Sequence, residues 1–160
     1  MAWKPIQYPE TKPELYRFLE AKLKAIVEGV PHRTANLANA SALLADALQD
    51  INWVGFYLLE GDTLVLGPFQ GKVACVEIAF GKGVCGAAVQ RGETVLVEDV
   101  HQFPGHIACD SASASEIVVP LKKDGRVAAV LDIDSPVPAR FTAEDQAGLE
   151  QLGKVLETLL

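Results

Sequence analysis

One stretch with the pattern of a β-hairpin constrains the fold of this chain more than any other feature. Residues 116–134 run EIVVPLKKDGRVAAVLDID, with an apolar segment on each side of Asp124 and Gly125. Both turn residues tolerate the left-handed backbone conformation that a two-residue hairpin turn requires. The pattern therefore predicts two antiparallel strands, and the tight turn places the start of the first strand near the end of the second.

The rest of the chain predicts helices near both ends and strands between them. Apolar residues recur at helical spacing in the first fifty residues, and Thr11 with Glu14 has the spacing of a capping box. From residue 51 onward, short segments rich in β-branched and aromatic residues favour strands. The predicted helices are residues 15–27, residues 34–48, a short helix within residues 81–93 and a C-terminal helix capped by Thr142, and the further predicted strands are residues 51–60, 63–70, 73–80 and 94–100.

This order of elements indicates an α+β fold with a largely antiparallel central sheet flanked by helices. The sequence contains no internal repeat and no segment with the composition of a linker. We therefore expect a single domain over residues 1–160.

Charge and cysteine content argue against several classes of protein. The net charge of −7 and the lack of a basic cluster argue against binding to nucleic acid or to anionic membranes. No apolar run approaches the roughly 20 residues of a membrane helix, and the N-terminus lacks the layout of a signal peptide. Because three cysteines is an odd number, a closed disulfide framework is not expected, and we expect a cytoplasmic protein.

The three cysteines lie in different sequence settings. Cys109 lies in the run HIACDSASASEIVVP, whose small and polar residues leave a thiol accessible for reaction. Cys75 lies on the predicted strand 73–80, and Cys85 lies in a glycine-flanked segment that suits exchange at the surface. The separations between them do not match zinc-ligand spacing, so no metal site is expected. Thiol–disulfide exchange is the favoured chemistry.

Side chains that share a strand face predict a small pocket. Asp132 and Asp134 are two residues apart and leave the same face of the sheet, and Glu116 begins the partner strand. Three converging carboxylates would raise at least one pKa. Trp53 and Tyr57, four residues apart, also share a face. These residues have two interpretations. In the ordinary one, the acids lie at a strand end that faces solvent and the aromatic residues belong to the core. In the functional one, the acids and the aromatic residues line a pocket for a cationic ligand, with the aromatic residues as its wall.

Four segments of the chain closely resemble the free methionine-(R)-sulfoxide reductases, enzymes with a GAF fold. The segments are ANLANASALLADALQDINWVGFYL, GPFQGKVACVEIAFGKGVCG, HIACDSASASEIVVPL and VLDIDSP, and the resemblance runs from about residue 8 to the C-terminus. It implies reduction of the free amino-acid sulfoxide, with no cofactor and with thioredoxin as the reductant. Related enzymes are commonly dimeric, so a homodimer is also expected.

The resemblance also implies a role for each candidate residue. Cys109 matches the nucleophile, Cys75 the resolving cysteine and Cys85 a further exchange partner. The residues that match the substrate-binding site are Trp53, Tyr57, Glu116, Asp132 and Asp134.

The implied mechanism begins with attack of the Cys109 thiolate on the sulfoxide sulfur while an acid protonates the oxygen. Methionine leaves, Cys109 becomes a sulfenic acid, and Cys75 or Cys85 condenses with it to a disulfide that thioredoxin reduces. One alternative is a non-catalytic GAF sensor of a small molecule or of redox state, because a fold does not fix a function. Another is a peroxide-reducing thiol enzyme, which would leave the carboxylates without a task.

Overall fold

The computed structural model describes residues 4–107 and 111–160, so Cys109 lies outside the described residues. Within the described part of the chain there are four α-helices, one 3-10 helix and six strands, and none of the helices is long and apolar enough to cross a membrane. The α-helices are α1 (Lys12–Val27), α2 (Arg33–Ala47), α3 (Gly83–Arg91) and α4 (Ala143–Glu157). The strands are β1 (Trp53–Glu60), β2 (Thr63–Gly71), β3 (Glu77–Ala79), β4 (Val95–Val97), β5 (Ser115–Lys123) and β6 (Arg126–Ser135), and the 3-10 helix is Val100–Gln102.

The six strands form one sheet in the order β3-β2-β1-β6-β5-β4, and every neighbouring pair is antiparallel. The predicted α+β fold with an antiparallel central sheet is therefore confirmed. The predicted hairpin is β5–β6, and both Asp124 and Gly125 adopt the left-handed conformation, with φ of 53° and 77°. Its register pairs Glu116 with Asp134, so the start of one strand does lie beside the end of the other.

The sheet separates two apolar clusters. Three helices (α1, α2 and α4) cover one face, and α3 covers the other. Along β6, Leu131 and Ile133 pack with the three helices, whereas Val130 packs on the side of α3. Because strand side chains alternate between faces, Asp132 and Asp134 also lie on the α3 side. The period of two in the sequence thus decides which layer receives the acidic side chains.

Two local predictions were wrong. Thr11 is the N-cap of α1 but makes no side-chain capping bond; its carbonyl accepts the Leu15 N–H at 2.9 Å, which starts the helix through the backbone alone. The predicted strand 73–80 is strand only at Glu77–Ala79, so Cys75 lies in the connection before β3. The reason is that β2 stays paired with β1 as far as Gly71, and pairing between β2 and β3 covers Thr63 to Val65 on β2.

Helices α1 and α4 are joined through one buried acid. Asp145, which is 1% exposed, accepts hydrogen bonds of 2.7 Å from both the Tyr16 hydroxyl and the Lys12 ammonium. Asp145 also completes a capping box with Thr142, which confirms Thr142 as the cap of α4. The Tyr16 ring lies against Gly148, where α4 has no side chain in the way. The two terminal helices therefore pack on each other.

We expect Gly148→Ala to lower the free energy of unfolding by about 1–3 kcal/mol, the usual cost of overpacking a well-packed site. A Cβ at this position would overlap the Tyr16 ring, which the hydrogen bond to Asp145 holds in place. Gly153→Ala is the matched control, because it lies in the same helix and its Cβ would meet Leu121 at an ordinary 3.4 Å. Urea denaturation should show the control at least as stable as the wild type, since alanine favours helix by up to about 1 kcal/mol. Equal effects of the two substitutions would contradict this close packing of α1 on α4.

Candidate functional site

A pocket lies between the sheet and α3, with an empty volume of ≈ 530 Å³ that includes the space open to solvent at its mouth. Its polar and aromatic lining comes from three strands, one helix and one loop. These residues are Trp53 and Tyr57 of β1, Cys85 of α3, His106 of the loop before β5, Glu116 of β5, and Asp132 and Asp134 of β6. The structure thus brings together six of the eight residues singled out from the sequence.

Strand register explains how the three carboxylates meet. Asp134 pairs with Glu116 on one side and with Trp53 on the other, so it lies between an acid and an aromatic side chain. Asp132 is two residues earlier on the same face of β6. Glu116 and Asp132 are each only 6% exposed. The interpretation of these acids as a solvent-facing strand end is therefore wrong for these two residues.

Burial decides the charge of this carboxyl pair. Removal from water, together with the nearby Asp134 carboxylate, raises the pKa of Glu116 to about 8. Burial also raises the pKa of Asp132 well above its usual range, and the negative charge of Glu116 acts in the same direction. The two side chains are hydrogen-bonded to each other. Because two adjacent buried carboxylates cannot both ionise at low cost, the pair keeps a proton near neutral pH.

Cys85 lies in the first turn of α3 and is buried, with 3% of its surface exposed. The next residue, Gly86, allows this close packing, because a Cβ there would lie 2.9 Å from the Ala79 carbonyl oxygen. Burial raises the pKa of the Cys85 thiol, and the negative charges of Asp132 and Glu116 raise it further. The prediction that Cys85 lies in a surface segment is wrong, because Gly86 lets α3 pack closely on the backbone at the end of β3 and buries the thiol.

The aromatic wall is present, and its polar atoms hold the connection that carries Cys75. Trp53 stacks on Tyr57 with ring centroids 5.9 Å apart. The indole N–H donates to the Lys72 carbonyl oxygen at 3.2 Å, and the Tyr57 hydroxyl donates to the Cys75 carbonyl oxygen at 3.0 Å. These donors therefore fix residues 72–75 at the edge of the pocket.

The structure describes two of the three cysteines, and these two differ in their bonding state. Cys75 is disulfide-bonded, and Cys85 is a free thiol. Cys109, the predicted nucleophile, belongs to the three residues between 107 and 111 that are outside the described part of the chain. Its position relative to the pocket therefore stays a prediction.

His106 is a pocket residue to which the sequence assigned no role. Its Nε2 atom lies 3.6 Å from Glu116 Oε1, and partial burial lowers the pKa of the imidazole. The one signal in the sequence is position, because His106 begins the run HIACD three residues before Cys109. A mostly neutral imidazole therefore lies beside the carboxyl pair and adds little positive charge to the cluster.

Comparison with known proteins shows similarity along nearly the whole chain. A sequence profile of the GAF domain matches residues 34–160, which confirms the expected GAF fold. The chain is 58% identical over 149 residues to the free methionine-R-sulfoxide reductase of Escherichia coli (strain K12), covering 93% of this chain and 90% of that relative. It is 46% identical over 153 residues to the free methionine-R-sulfoxide reductase of Saccharomyces cerevisiae, covering 91% and 85%. The X-ray structure of free methionine-R-sulfoxide reductase from Neisseria meningitidis in complex with its substrate has a TM-score of 0.92 and 46% identity, covering 96% and 93%.

The raised pKa of the carboxyl pair gives the stability of the protein a definite pH dependence. The unfolded chain releases the Glu116 proton near the ordinary value of 4.5, whereas the folded chain keeps it up to about 8. Between these values the folded state binds more protons, so the free energy of unfolding falls as pH rises, by up to about 1.4 kcal/mol per pH unit for one proton. Urea denaturation from pH 5 to pH 8 measures the slope.

Glu116→Gln should make this slope shallower, because the substitution removes the titrating proton and relieves Asp132 of its charged neighbour. Glu93→Gln, at an exposed position, is the matched control and should keep the slope of the wild type. The same slope in Glu116→Gln and in the wild type would mean that the carboxyl pair does not retain its proton in the folded state.

Proposed function

The chain belongs to the free methionine-(R)-sulfoxide reductase family of GAF-domain proteins, and from that membership we propose that it reduces free L-methionine-(R)-sulfoxide to methionine. The observation that carries the proposal is the buried pocket in which a protonated Glu116–Asp132 pair, the Asp134 carboxyl group and an aromatic wall converge. Reduction of a sulfoxide by a thiol needs a proton donor for the departing oxygen. A carboxyl pair that holds a proton near neutral pH can supply it.

In the chemical step the Cys109 thiolate attacks the sulfoxide sulfur and the carboxyl pair protonates the sulfoxide oxygen. The attack forms a bond between the Cys109 sulfur and the substrate sulfur; the protonated oxygen then passes from the substrate sulfur to the Cys109 sulfur as that S–S bond breaks, and the products are methionine and a cysteine sulfenic acid. The substrate sulfur is reduced by two electrons and the Cys109 sulfur is oxidised by two. Glu116 and Asp132 share the proton that is transferred, and Asp134 binds the substrate ammonium group.

Resolution follows when Cys75 attacks the sulfenic acid, releasing water and forming a disulfide with Cys109. Two observations support Cys75 in this role: it is disulfide-bonded in the structure, and the Tyr57 hydroxyl fixes its backbone at the pocket edge. Cys85 is the slower exchange partner, because burial and the raised pKa of its thiol leave little thiolate to react.

Thioredoxin is the proposed reductant, and the surroundings of Cys75 suit contact with a protein. The flanking residues Val73 and Val76 are 90% and 65% exposed, so an apolar surface lies on both sides of this cysteine. Exposed apolar groups of this kind are typical of interaction sites. The single-domain organisation over residues 1–160 and the homodimer stay predictions.

A non-catalytic GAF sensor is the alternative within the same fold, and the carboxyl pair argues against it. A binding site for an ammonium group needs ionised carboxylates, so recognition of an ammonium group does not explain a buried pair that keeps its proton. A proton kept at neutral pH has a use in a reaction that protonates an oxygen. Turnover with a thiol reductant separates the two functions, because a sensor would bind the sulfoxide and release it unchanged.

The substrate should be the free amino acid in the R configuration, because Asp134 recognises the α-ammonium group. Turnover should be measured on free methionine-(R)-sulfoxide, on its S epimer and on the N-acetylated amide, and we expect activity on the first alone. Asp134→Asn should raise KM for the free substrate roughly 10- to 100-fold, the usual worth of a hydrogen bond to a charged group. Glu93→Gln, which removes an exposed acid far from the pocket, serves as the control. Equal turnover of the blocked amide would rule out the ammonium role of Asp134.

Single-turnover experiments on three Cys→Ser variants should distinguish the roles of the three cysteines. Cys109→Ser removes the attacking sulfur, so no methionine should form. Cys75→Ser leaves the attack intact and should release one equivalent of methionine with a sulfenic acid on Cys109, followed by slow recycling by thioredoxin. Cys85→Ser should be milder. Quantification of methionine with mass spectrometry of the stalled proteins measures all three, and a full burst from Cys109→Ser that is lost in Cys75→Ser would show that the two roles are reversed.

A further inference from the structure

Cys85 meets two carboxyl groups at the floor of the pocket, and together they have the composition of a metal site. The Cys85 sulfur and one carboxylate oxygen each from Glu116 and Asp132 all lie within 4.8 Å of one another. The three residues come from α3, β5 and β6, and all are buried. Thiolate and carboxylate are both ligands that Zn²⁺ accepts.

His106 supplies a fourth donor atom from the loop at the pocket mouth. Its Nε2 atom lies 3.6 Å from Glu116 Oε1. Zinc bonds of about 2.0–2.3 Å in a tetrahedron place neighbouring ligand atoms roughly 3.3–3.8 Å apart. The distance between His106 and Glu116 already has this length, whereas His106 lies outside the group of three donors that are within 4.8 Å of one another, so its side chain would have to turn toward the ion on binding.

An unsatisfied oxygen points independently to a missing ligand. Asp132 Oδ1 is buried and has no hydrogen-bond partner among the described residues. A buried polar atom without a partner is rare in native proteins and costs about 1–3 kcal/mol. A cation bound at this position would remove that cost.

We propose that this cluster of Cys85, His106, Glu116 and Asp132 is a binding site for a thiophilic divalent cation, with Zn²⁺ as the expected ion. Sulfur, imidazole and carboxylate together select zinc over Mg²⁺ and Ca²⁺, which require oxygen ligands. The bound ion would take the place of the proton that Glu116 and Asp132 share, so it would also exclude a sulfoxide from the pocket. That last consequence, inhibition, rests on the proposed function, whereas the binding itself does not.

Co²⁺ is the probe for the site, in a full-length variant in which Cys85 is the one remaining thiol. In Cys75→Ser/Cys109→Ser, titration with Co²⁺ should give the near-ultraviolet charge-transfer band of a thiolate ligand, and competition with Zn²⁺ should give the zinc affinity. Adding Cys85→Ser should abolish the band and weaken zinc binding at least about tenfold, as expected for a lost ligand contact. Cobalt binding without the charge-transfer band, or an unchanged zinc affinity in Cys85→Ser, would overturn the proposal.

His106 gives a second test that does not disturb the core. In the same Cys75→Ser/Cys109→Ser background, His106→Gln should weaken zinc binding at least about tenfold while the charge-transfer band persists. His101→Gln is the matched control, because His101 is an exposed histidine five residues earlier in the same segment. Equal zinc affinities of the two histidine variants would exclude His106 from the site and contradict the four-ligand proposal.

In the wild-type enzyme, Zn²⁺ should inhibit turnover in competition with the sulfoxide, and EDTA should restore activity. A higher zinc concentration should be needed for half-inhibition of His106→Gln than of His101→Gln. Inhibition that does not depend on substrate concentration would contradict an ion in the pocket. Complete lack of turnover would contradict the proposed function, and the cobalt titration would still decide the metal site.

Discussion

The hydrogen-bonded pair of Glu116 and Asp132 is the interaction on which the chemistry of this pocket depends. Two carboxyl groups from adjacent strands are buried together, and the pKa of each is raised, first by burial. The folded state can bury the pair only while the pair holds a proton. If both groups were ionised, the free-energy cost of desolvation and repulsion would exceed the free energy gained by packing them. The hairpin register pairs Glu116 with Asp134 and leaves Asp132 two residues away on the same face of β6, so the backbone brings Glu116 and Asp132 within reach of each other.

The same low-dielectric surroundings set the state of the neighbouring groups. Burial raises the pKa of the Cys85 thiol and of the Tyr57 phenol, and partial burial lowers the pKa of His106. Each of these shifts favours the neutral form. The pocket is therefore a site that stores a proton and exposes few charges, which suits a reaction that delivers a proton to a developing oxyanion.

A second buried acid shows that burial alone does not decide the outcome. Burial would by itself raise the pKa of Asp145, but hydrogen bonds from Lys12, Thr142 and Tyr16 hold it below its ordinary value. Asp145 is thus an ionised anchor between α1 and α4, whereas Glu116 and Asp132 have the mostly neutral His106 beside them among the described residues and keep their proton. The difference lies in the donors that surround each carboxyl group, and it separates an acid that stabilises the fold from acids that are available for chemistry.

The sequence by itself determined the features that follow from local geometry. The Asp124-Gly125 turn predicted the hairpin. A period of two placed Asp132 and Asp134 on one face of β6, and the hairpin placed Glu116 beside them on the neighbouring strand. Only the tertiary structure decided the burial of Cys85, the loop position of Cys75 and the approach of His106 to Glu116. Spacing along a chain fixes which side chains share one helix or strand, whereas contacts between α3, β5 and the loop before β5 depend on how the elements pack. The proposed zinc ligands, which come from α3, β5, β6 and the loop before β5, therefore have no signature in the sequence.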